Sequence, residues 1–386
     1  MSVRLGVVGY GIRGKYMASQ MYRRHEDFVL AAVADLNMDA VPAKLKEEGL
    51  DPEKVQIFPD LDSMLAADAC DCVIVSTNCS VHTELAIKVL EKGLPLYLEK
   101  PVCITMEDYY RLKEAGEKHP DVPVVVSFPL RVSQICLDAK QIIESGQLGR
   151  IEQVQGYNNV PYGGVFYHSW YRNYDVAGGL FVQKATHDLD YIQYILGGMR
   201  PVEVCAMKSK QVFKGNKPAG LLCSQCDERE TCRESTLVVA RSGQRTHGEY
   251  CCYGVDCRNE DSGSVLIRYD TGMHVAYTQN FFIKRSAQKR GARFLGEKGT
   301  LEFDWYTNSM TVYQHDVARV DTYHYEPGME SHFGGDNRLV DSFYNLVTGR
   351  SKESVATLRE GLDSAYLCLK ATQSAEEHRF VTLDDA

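Results

Sequence analysis

A chain of 386 residues is long enough for two to three domains of ~150 residues, each able to bury a core. With 44% hydrophobic and 25% charged residues it has the composition of an ordinary globular protein, neither disordered nor collagenous. Its 43 lysines and arginines against 52 aspartates and glutamates leave a net charge of -9, which speaks against a nucleic-acid partner, and no run approaches the ~20 apolar residues that span a bilayer. The first predicted strand already starts at Val3 with no export signal ahead of it, so a cytoplasmic protein is expected. In that compartment the 13 cysteines are expected as thiols or metal ligands rather than as a disulfide framework.

Residues 3–8 form a short apolar run that breaks into Gly9-Tyr10-Gly11-Ile12-Arg13-Gly14 and continues as a helix-favouring stretch to Arg24. A second apolar run, Val29 to Ala34, ends at Asp35. The pattern then alternates: helix near 39–48, strand near 55–58, helix near 60–67, strand 72–76, helix 81–92, strand 95–98, helix 106–118 and strand 123–127. Strands alternating with helical segments predict right-handed crossovers and a parallel, doubly wound α/β sheet over residues 1–128. Beyond Pro129 the rhythm changes to a helix (133–145), a strand (150–159), a Tyr/Gly-rich loop (160–177) and a long helix (179–196). Strand-rich segments follow at 201–213, 263–282, 292–304 and 309–325, then helices at 337–348 and 357–376. Turn-connected strands predict an α+β domain over 129–386 with an open, mostly antiparallel sheet. Residues 214–260, with six cysteines and little periodicity, read as an insertion on its rim.

The glycine pattern follows a strand, opens a helix, and has Asp35 twenty-one residues beyond Gly14. Gly9 permits the turn, Gly11 lets backbone approach a pyrophosphate, Gly14 lets helix and strand pack closely, and the helix start, with Ile12 and Arg13, offers N–H groups to the anion. Asp35 can accept hydrogen bonds from both adenosine ribose hydroxyls and would repel a 2′-phosphate, so NAD is the expected cofactor rather than NADP. The fourth strand runs into Ser76-Thr77-Asn78 and His82, and the fifth into Glu99-Lys100-Pro101; both sit at carboxyl ends of parallel strands, where such sheets bind ligands. In the second domain Gln183, His187 and Asp190 share a helical face at i, i+4, i+7.

Together these residues resemble the glucose-fructose oxidoreductase and inositol dehydrogenase family, Gfo/Idh/MocA. The likeness runs through Gly9 to Gly14, Asp35, Thr77-Asn78 to His82, Glu99-Lys100-Pro101, Ser145 to Gly149, Gly178 to Asp190 and His332-Phe333-Gly334-Gly335-Asp336. It implies a Rossmann domain carrying NAD or NADP and a second domain whose open sheet covers the active site and often builds a dimer, so a homo-oligomer, dimer or tetramer, is expected. It also implies oxidation or reduction of a secondary alcohol on a sugar, cyclitol or related polyol, with Lys100 and His187 in the positions of the family's catalytic lysine and histidine. The chemistry fits: His187 has the pKa range to take the hydroxyl proton as hydride leaves, and Lys100 can stabilise the developing alkoxide. One departure stands out. Many members have a carboxylate four residues before the histidine, and this chain has Gln183, which cannot take up a proton.

The Tyr/Gly-rich loop supplies rings suited to sugar faces, and Tyr157, Trp170, Gln183, Lys184, His187 and His332 are expected to meet substrate along with Lys100. Trp170 and Arg172 resemble the family's residues near the cofactor. Asp336 is expected to cap the helix that follows it. Cys223, Cys226 and Cys232, with a fourth thiolate from the 251–257 group, for which Cys257 is chosen, could form a structural zinc site; unligated thiols and an iron–sulfur cluster are the alternatives. Such a site would tie down a loop of about 35 residues that lacks its own core. A second functional reading keeps the same residues but makes the protein an NAD-dependent glycosidase or lyase that oxidises, eliminates and re-reduces. A non-catalytic NAD-responsive binding protein is disfavoured because Lys100 and His187 are both present.

Overall fold

The computed structural model describes residues 2–326 and 331–384. The chain divides into two units, Met1–Gln134 with Gly328–Tyr366, and Ile135–Pro327 with Leu367–Ala386. The chain returns to the first unit late on, after most of the second has been built.

The first unit alternates β1 (Val3–Val8), α1 (Ile12–Arg24), β2 (Phe28–Ala34), α2 (Val41–Glu47), β3 (Gln56–Phe58), α3 (Leu61–Ala66), β4 (Cys72–Val75), α4 (His82–Glu91), β5 (Leu96–Leu98), α5 (Met106–Lys118) and β6 (Val124–Val126). Its strands pair in parallel in the order β3-β2-β1-β4-β5-β6. β4, β5 and β6 are buried at every position, as a sheet covered on both faces requires. The order reverses between β1 and β4, and the loops leaving β1, β2, β4 and β5 gather the candidate residues at their carboxyl ends. Asp60 and Thr105 cap α3 and α5 with their side chains. The helix Gly335–Val347 packs on α1 within this unit, with Phe343 stacked on Phe28 and the Tyr344 hydroxyl donating to Asp27.

In the second unit α6 (Gln134–Glu144) leads to β7 (Ile151–Asn159), and the predicted 160–177 loop contains two one-turn helices, α7 (Val165–His168) and α8 (Tyr174–Ala177). The predicted helix 179–196 is two segments, a π-helical turn Phe181–Ala185 followed by α9 (Thr186–Leu196). The remaining elements are β8 (Pro201–Ser209), α10 (Thr236–Arg241), β9 (Ser262–Tyr269), β10 (His274–Asn280), β11 (Lys289–Gly296), β12 (Gly299–Asp304), β13 (Ser309–Gln314), β14 (Val320–His324) and β15 (Val381–Thr382). They form one nine-stranded sheet, β14-β13-β12-β11-β7-β10-β9-β8-β15, antiparallel except where β7 pairs in parallel with β10. α9 lies on the face to which Gly156 belongs, since a Cβ there would stand 2.8 Å from Ile192. No described helix is long and apolar enough to cross a membrane.

Candidate active site

In the first unit the glycine turn is built by close approach. A Cβ on Gly14 would stand 2.2 Å from the Gly9 carbonyl oxygen, and one on Gly9, whose φ is +84°, 2.5 Å from the Ser76 carbonyl oxygen. Packing therefore demands glycine at both. Gly11 is different: a Cβ there would meet nothing within 4 Å, so the protein's own packing does not account for it. Gly11 also starts α1 with no side-chain cap, and Ile12 beside it is 86% exposed. A bare helix start facing open space suits an anion, here the pyrophosphate of a dinucleotide. Asp35 is held ready by backbone, accepting from Tyr10 N and Asn37 N at 2.8 Å each. These residues fit NAD.

Around this cradle the structure adds a charge network that the sequence does not announce. The Arg13 guanidinium donates to Glu99 at 2.7 Å, to both oxygens of Asp336 at 2.9 and 2.6 Å, and to Ser127. Asp336 is buried and also meets His332 Nδ1 at 2.9 Å. Burial alone would raise the Asp336 pKa, but Arg13 and His332 outweigh it and hold the carboxyl well below its usual range. The expectation that Asp336 caps the following helix is therefore corrected: Gly334, in the left-handed region, takes that position, and the carboxylate is committed to Arg13. Arg13 in turn braces the Glu99-Lys100 strand end. His82 bridges two strand ends, with Nδ1 2.8 Å from the Pro101 carbonyl and Nε2 3.2 Å from that of Thr77. Burial pushes its pKa down, against the pull of the two carbonyls and Glu99. Lys100 itself is half-buried.

In the second unit everything from Phe181 to Tyr191 is buried, including His187, Gln183 and Lys184. The π turn inserts a wider loop of backbone exactly where regular i, i+4 spacing was assumed, so Gln183 and His187 are not simple neighbours on an α-helical face. Its start is held by Glu260, whose carboxylate accepts from Leu180 N and Phe181 N at 2.9 and 3.1 Å. Directly after His187, the fully buried Asp188 accepts from Arg290 Nε (2.7 Å), Asn158 Nδ2 (2.7 Å) and the Tyr277 hydroxyl (2.8 Å). Three strands, β7, β10 and β11, thereby fix the turn that carries His187. Glu260, Asp188 and Arg290 were not singled out from the sequence: Glu260 lies in the aperiodic segment, and Arg290 is remote in sequence from the helix it serves.

The aromatic loop divides. Tyr157 is corrected away from a substrate role, because alternation on β7 puts it on the face opposite Asn158; its hydroxyl donates to the Phe303 carbonyl and its ring lies under Lys289. Tyr162 instead meets the π turn that precedes His187, accepting from Lys184 Nζ at 2.6 Å. Trp170 is 39% exposed and stacks on Tyr171. Arg172, expected at the cofactor, is buried and spends its guanidinium on both oxygens of Asp256 and on the Cys251 carbonyl, pinning the cysteine-rich segment to the loop. A buried guanidinium needs such pairing.

In that segment Cys223, Cys226, Cys232, Cys251 and Cys252 line one small pocket with His168 and Glu234. Burial raises the Cys251 pKa, and the Cys223, Cys226 and Cys232 thiols raise it further. Cys257 is corrected out of this group: it belongs to an apolar cluster with Val160, Phe166 and Phe281, where its hydrophobic character is used. Among the described residues no three His, Cys, Asp or Glu side chains are arranged to hold a metal ion.

Comparison with known proteins agrees with this architecture. Residues 3–128 match the model of an oxidoreductase family's NAD-binding Rossmann fold, and residues 140–383 match the model of the same family's C-terminal alpha/beta domain, Gfo/Idh/MocA. The putative oxidoreductase YteT of Bacillus subtilis is 25% identical over 73% of this chain and 74% of its own. The scyllo-inositol 2-dehydrogenase (NAD(+)) of Bacillus subtilis is 28% identical, over 50% of this chain and about half (54%) of its own. Among solved structures, a levoglucosan dehydrogenase complexed with NADH and levoglucosan superposes with a TM-score of 0.78 at 17% identity, covering all of both chains. With a nucleotide cradle, a parallel sheet reversing at β1 and β4 and a nine-stranded second domain in place, the chain belongs to the Gfo/Idh/MocA oxidoreductase family and is an NAD-dependent oxidoreductase.

Proposed function

We propose that the protein transfers hydride between NAD and a secondary hydroxyl carbon of a sugar, sugar derivative or cyclitol, with Lys100 and His187 as its acid–base groups. The observation that carries this reading is the way both are mounted: Lys100 leaves the end of β5 beside the glycine cradle, and His187 sits on a turn that Asp188 and Glu260 lock from below. Bound NAD supplies the redox chemistry by accepting or returning the hydride. His187 takes the hydroxyl proton during oxidation and returns it during reduction. Lys100 donates a hydrogen bond to the same oxygen and stabilises its negative charge. Relatives named for inositol and levoglucosan support a polyhydroxylated substrate.

The test is a screen of free sugars, anhydrosugars, cyclitols and aryl glycosides with added NAD, following NADH. One NADH per substrate oxidised supports the proposal. Aglycone release without net NADH would replace it with the oxidation, elimination and re-reduction sequence.

Within the same reading the protein works in the cytoplasm as a homo-oligomer, for which exposed Met207, Leu266, Tyr313 and Tyr323 on the nine-stranded sheet offer apolar surface. The thiols of Cys223, Cys226, Cys232 and Cys251 are our candidates for a structural zinc ion, supported by the pocket they share. They would have to close on the metal and lose protons to bind it. Metal analysis of untagged protein tests this: about one zinc per chain, whose removal lowers stability more than turnover, supports it, and fully active metal-free protein refutes it.

A further inference from the structure

Lys184 and Tyr162 have no assigned task beyond general substrate contact, yet their arrangement is specific. Lys184 is 7% exposed and sits in the π turn, next to Gln183 and three residues before His187. Its ammonium donates to the Tyr162 hydroxyl at 2.6 Å and lies 5.0 Å from the centre of the same ring, with the Phe166 ring at 6.0 Å. A buried ammonium whose hydrogen-bond partner is a phenol rather than a carboxylate stabilises the phenolate form of that partner. Tyr162 is 39% exposed, so one edge of this pair reaches solvent, while Lys184 is buried in the π turn that runs directly into the helix start carrying the buried His187.

We propose that Tyr162, with Lys184 as its counter-charge, is a second acid–base group of the site and carries the proton between His187 and water. The inference rests on the function proposed above. In the oxidation direction the C–H bond breaks and its electron pair leaves with hydride to the nicotinamide carbon, while the O–H proton passes to His187. His187 then gives that proton to the Tyr162 phenolate, directly or through one water, and the phenol loses it to solvent, which restores both groups. Reduction runs the same path backwards. Gln183 cannot serve here because an amide does not take up a proton at neutral pH, so a relay from this turn needs another group.

The charges facing Tyr162 come from four elements. Lys184 in the π turn and Arg290 on β11 favour the phenolate, Asp188 on α9 opposes it, and Tyr306, just past β12, is coupled to it. Burial would raise the phenol, and the two cations outweigh burial and pull it below its ordinary value.

Two measurements on the full chain test the proposal. NMR of protein labelled at tyrosine Cζ follows the phenol without any substrate. One signal should titrate below the ordinary value near ~10, vanish in Tyr162→Phe, and move up in Lys184→Met. With NAD and a substrate from the screen, Tyr162→Phe should lower kcat by roughly 10²-fold and remove one limb of its pH profile, and Lys184→Met should shift that limb to higher pH. NAD affinity should be unchanged in both variants. A Tyr162 signal at the ordinary phenol value, or a wild-type pH profile in Tyr162→Phe, overturns the proposal. A low-titrating Tyr162 in a protein that turns over no sugar, anhydrosugar or cyclitol would instead count against the function proposed above while upholding the acid–base pair.

Discussion

The nucleotide cradle of the first unit and the His187 turn of the second are held by different means. The cradle is placed by backbone: Gly9 and Gly14 touch carbonyl oxygens, and Asp35 is aimed by two N–H groups, Asn37 three residues past the end of β2 and Tyr10 in the turn after β1. The turn is placed by side chains from distant segments, with Asp188 gathering Asn158, Tyr277 and Arg290 from three strands, and Glu260 reaching in from the end of the cysteine-rich segment. Backbone placement tolerates change in everything but the glycines. Side-chain placement concentrates the same task in one or two buried charges, whose removal should be felt at once.

The largest expected effect lies at the groups these supports present. His187→Ala should lose about 10²–10⁴-fold in turnover with NAD binding intact, and Lys100→Ala a comparable amount. The double variant should fall little below the worse single one, since both act on one proton transfer. Stopped-flow turnover beside an NAD titration separates chemistry from binding, and near-normal turnover in His187→Ala would make that histidine a core residue.

Next in size is the support itself. Asp188→Ala strands Arg290 without its carboxylate at a fully buried position, and such a loss costs about 3–5 kcal/mol. Denaturant unfolding should show it as a lowered midpoint, and unchanged stability would refute the hub. Asp188 is thereby also removed as a substitute base, because its oxygens already accept three hydrogen bonds in a dry interior.

The two glycines of the cradle sharpen the contrast. Gly14→Ala forces a methyl onto the Gly9 carbonyl and should cost about 1–3 kcal/mol in stability. Gly11→Ala has room and should fold within about 1 kcal/mol of wild type, yet weaken NAD binding. Equal destabilisation by both would show that Gly11 is a packing glycine after all.

The smallest effect is at Asp35. Replacing it with alanine should narrow the preference for NAD over NADP by about tenfold, the scale of 1–2 kcal/mol for one charge acting across partly solvated space. Paired titrations with the two nucleotides measure it, and a wild type that binds NADP more tightly would refute the role.

How far the sequence could be read follows the same division. Strands β2, β4, β5 and β6 were legible because their apolar runs are continuous, and helix starts such as Asp60 and Thr105 because they carry a capping residue. The Gly9 to Gly14 turn and Asp35 were legible because their partners lie within one strand–turn–helix unit and the strand beside it. The Asp188–Arg290 pair was not, since 102 residues separate its members and nothing in either local pattern points to the other. The π turn escaped because polar and apolar residues alike are buried from Phe181 to Tyr191, so the change of helical period leaves no exposed polar face to be seen shifting. Cys251 and Cys257 were interchangeable on spacing, and only packing separates the thiol in the pocket from the one among Val160, Phe166 and Phe281.

The central claim is that NAD here is a stoichiometric hydride acceptor from a secondary alcohol. It is tested most directly by incubating the protein with NAD and sugars or cyclitols deuterated at the carbinol carbons and examining the nicotinamide. Deuterium at C4 of NADH, one per ketone formed, is the result this account predicts. Turnover that leaves NAD undeuterated and unreduced, with product formed all the same, would contradict it.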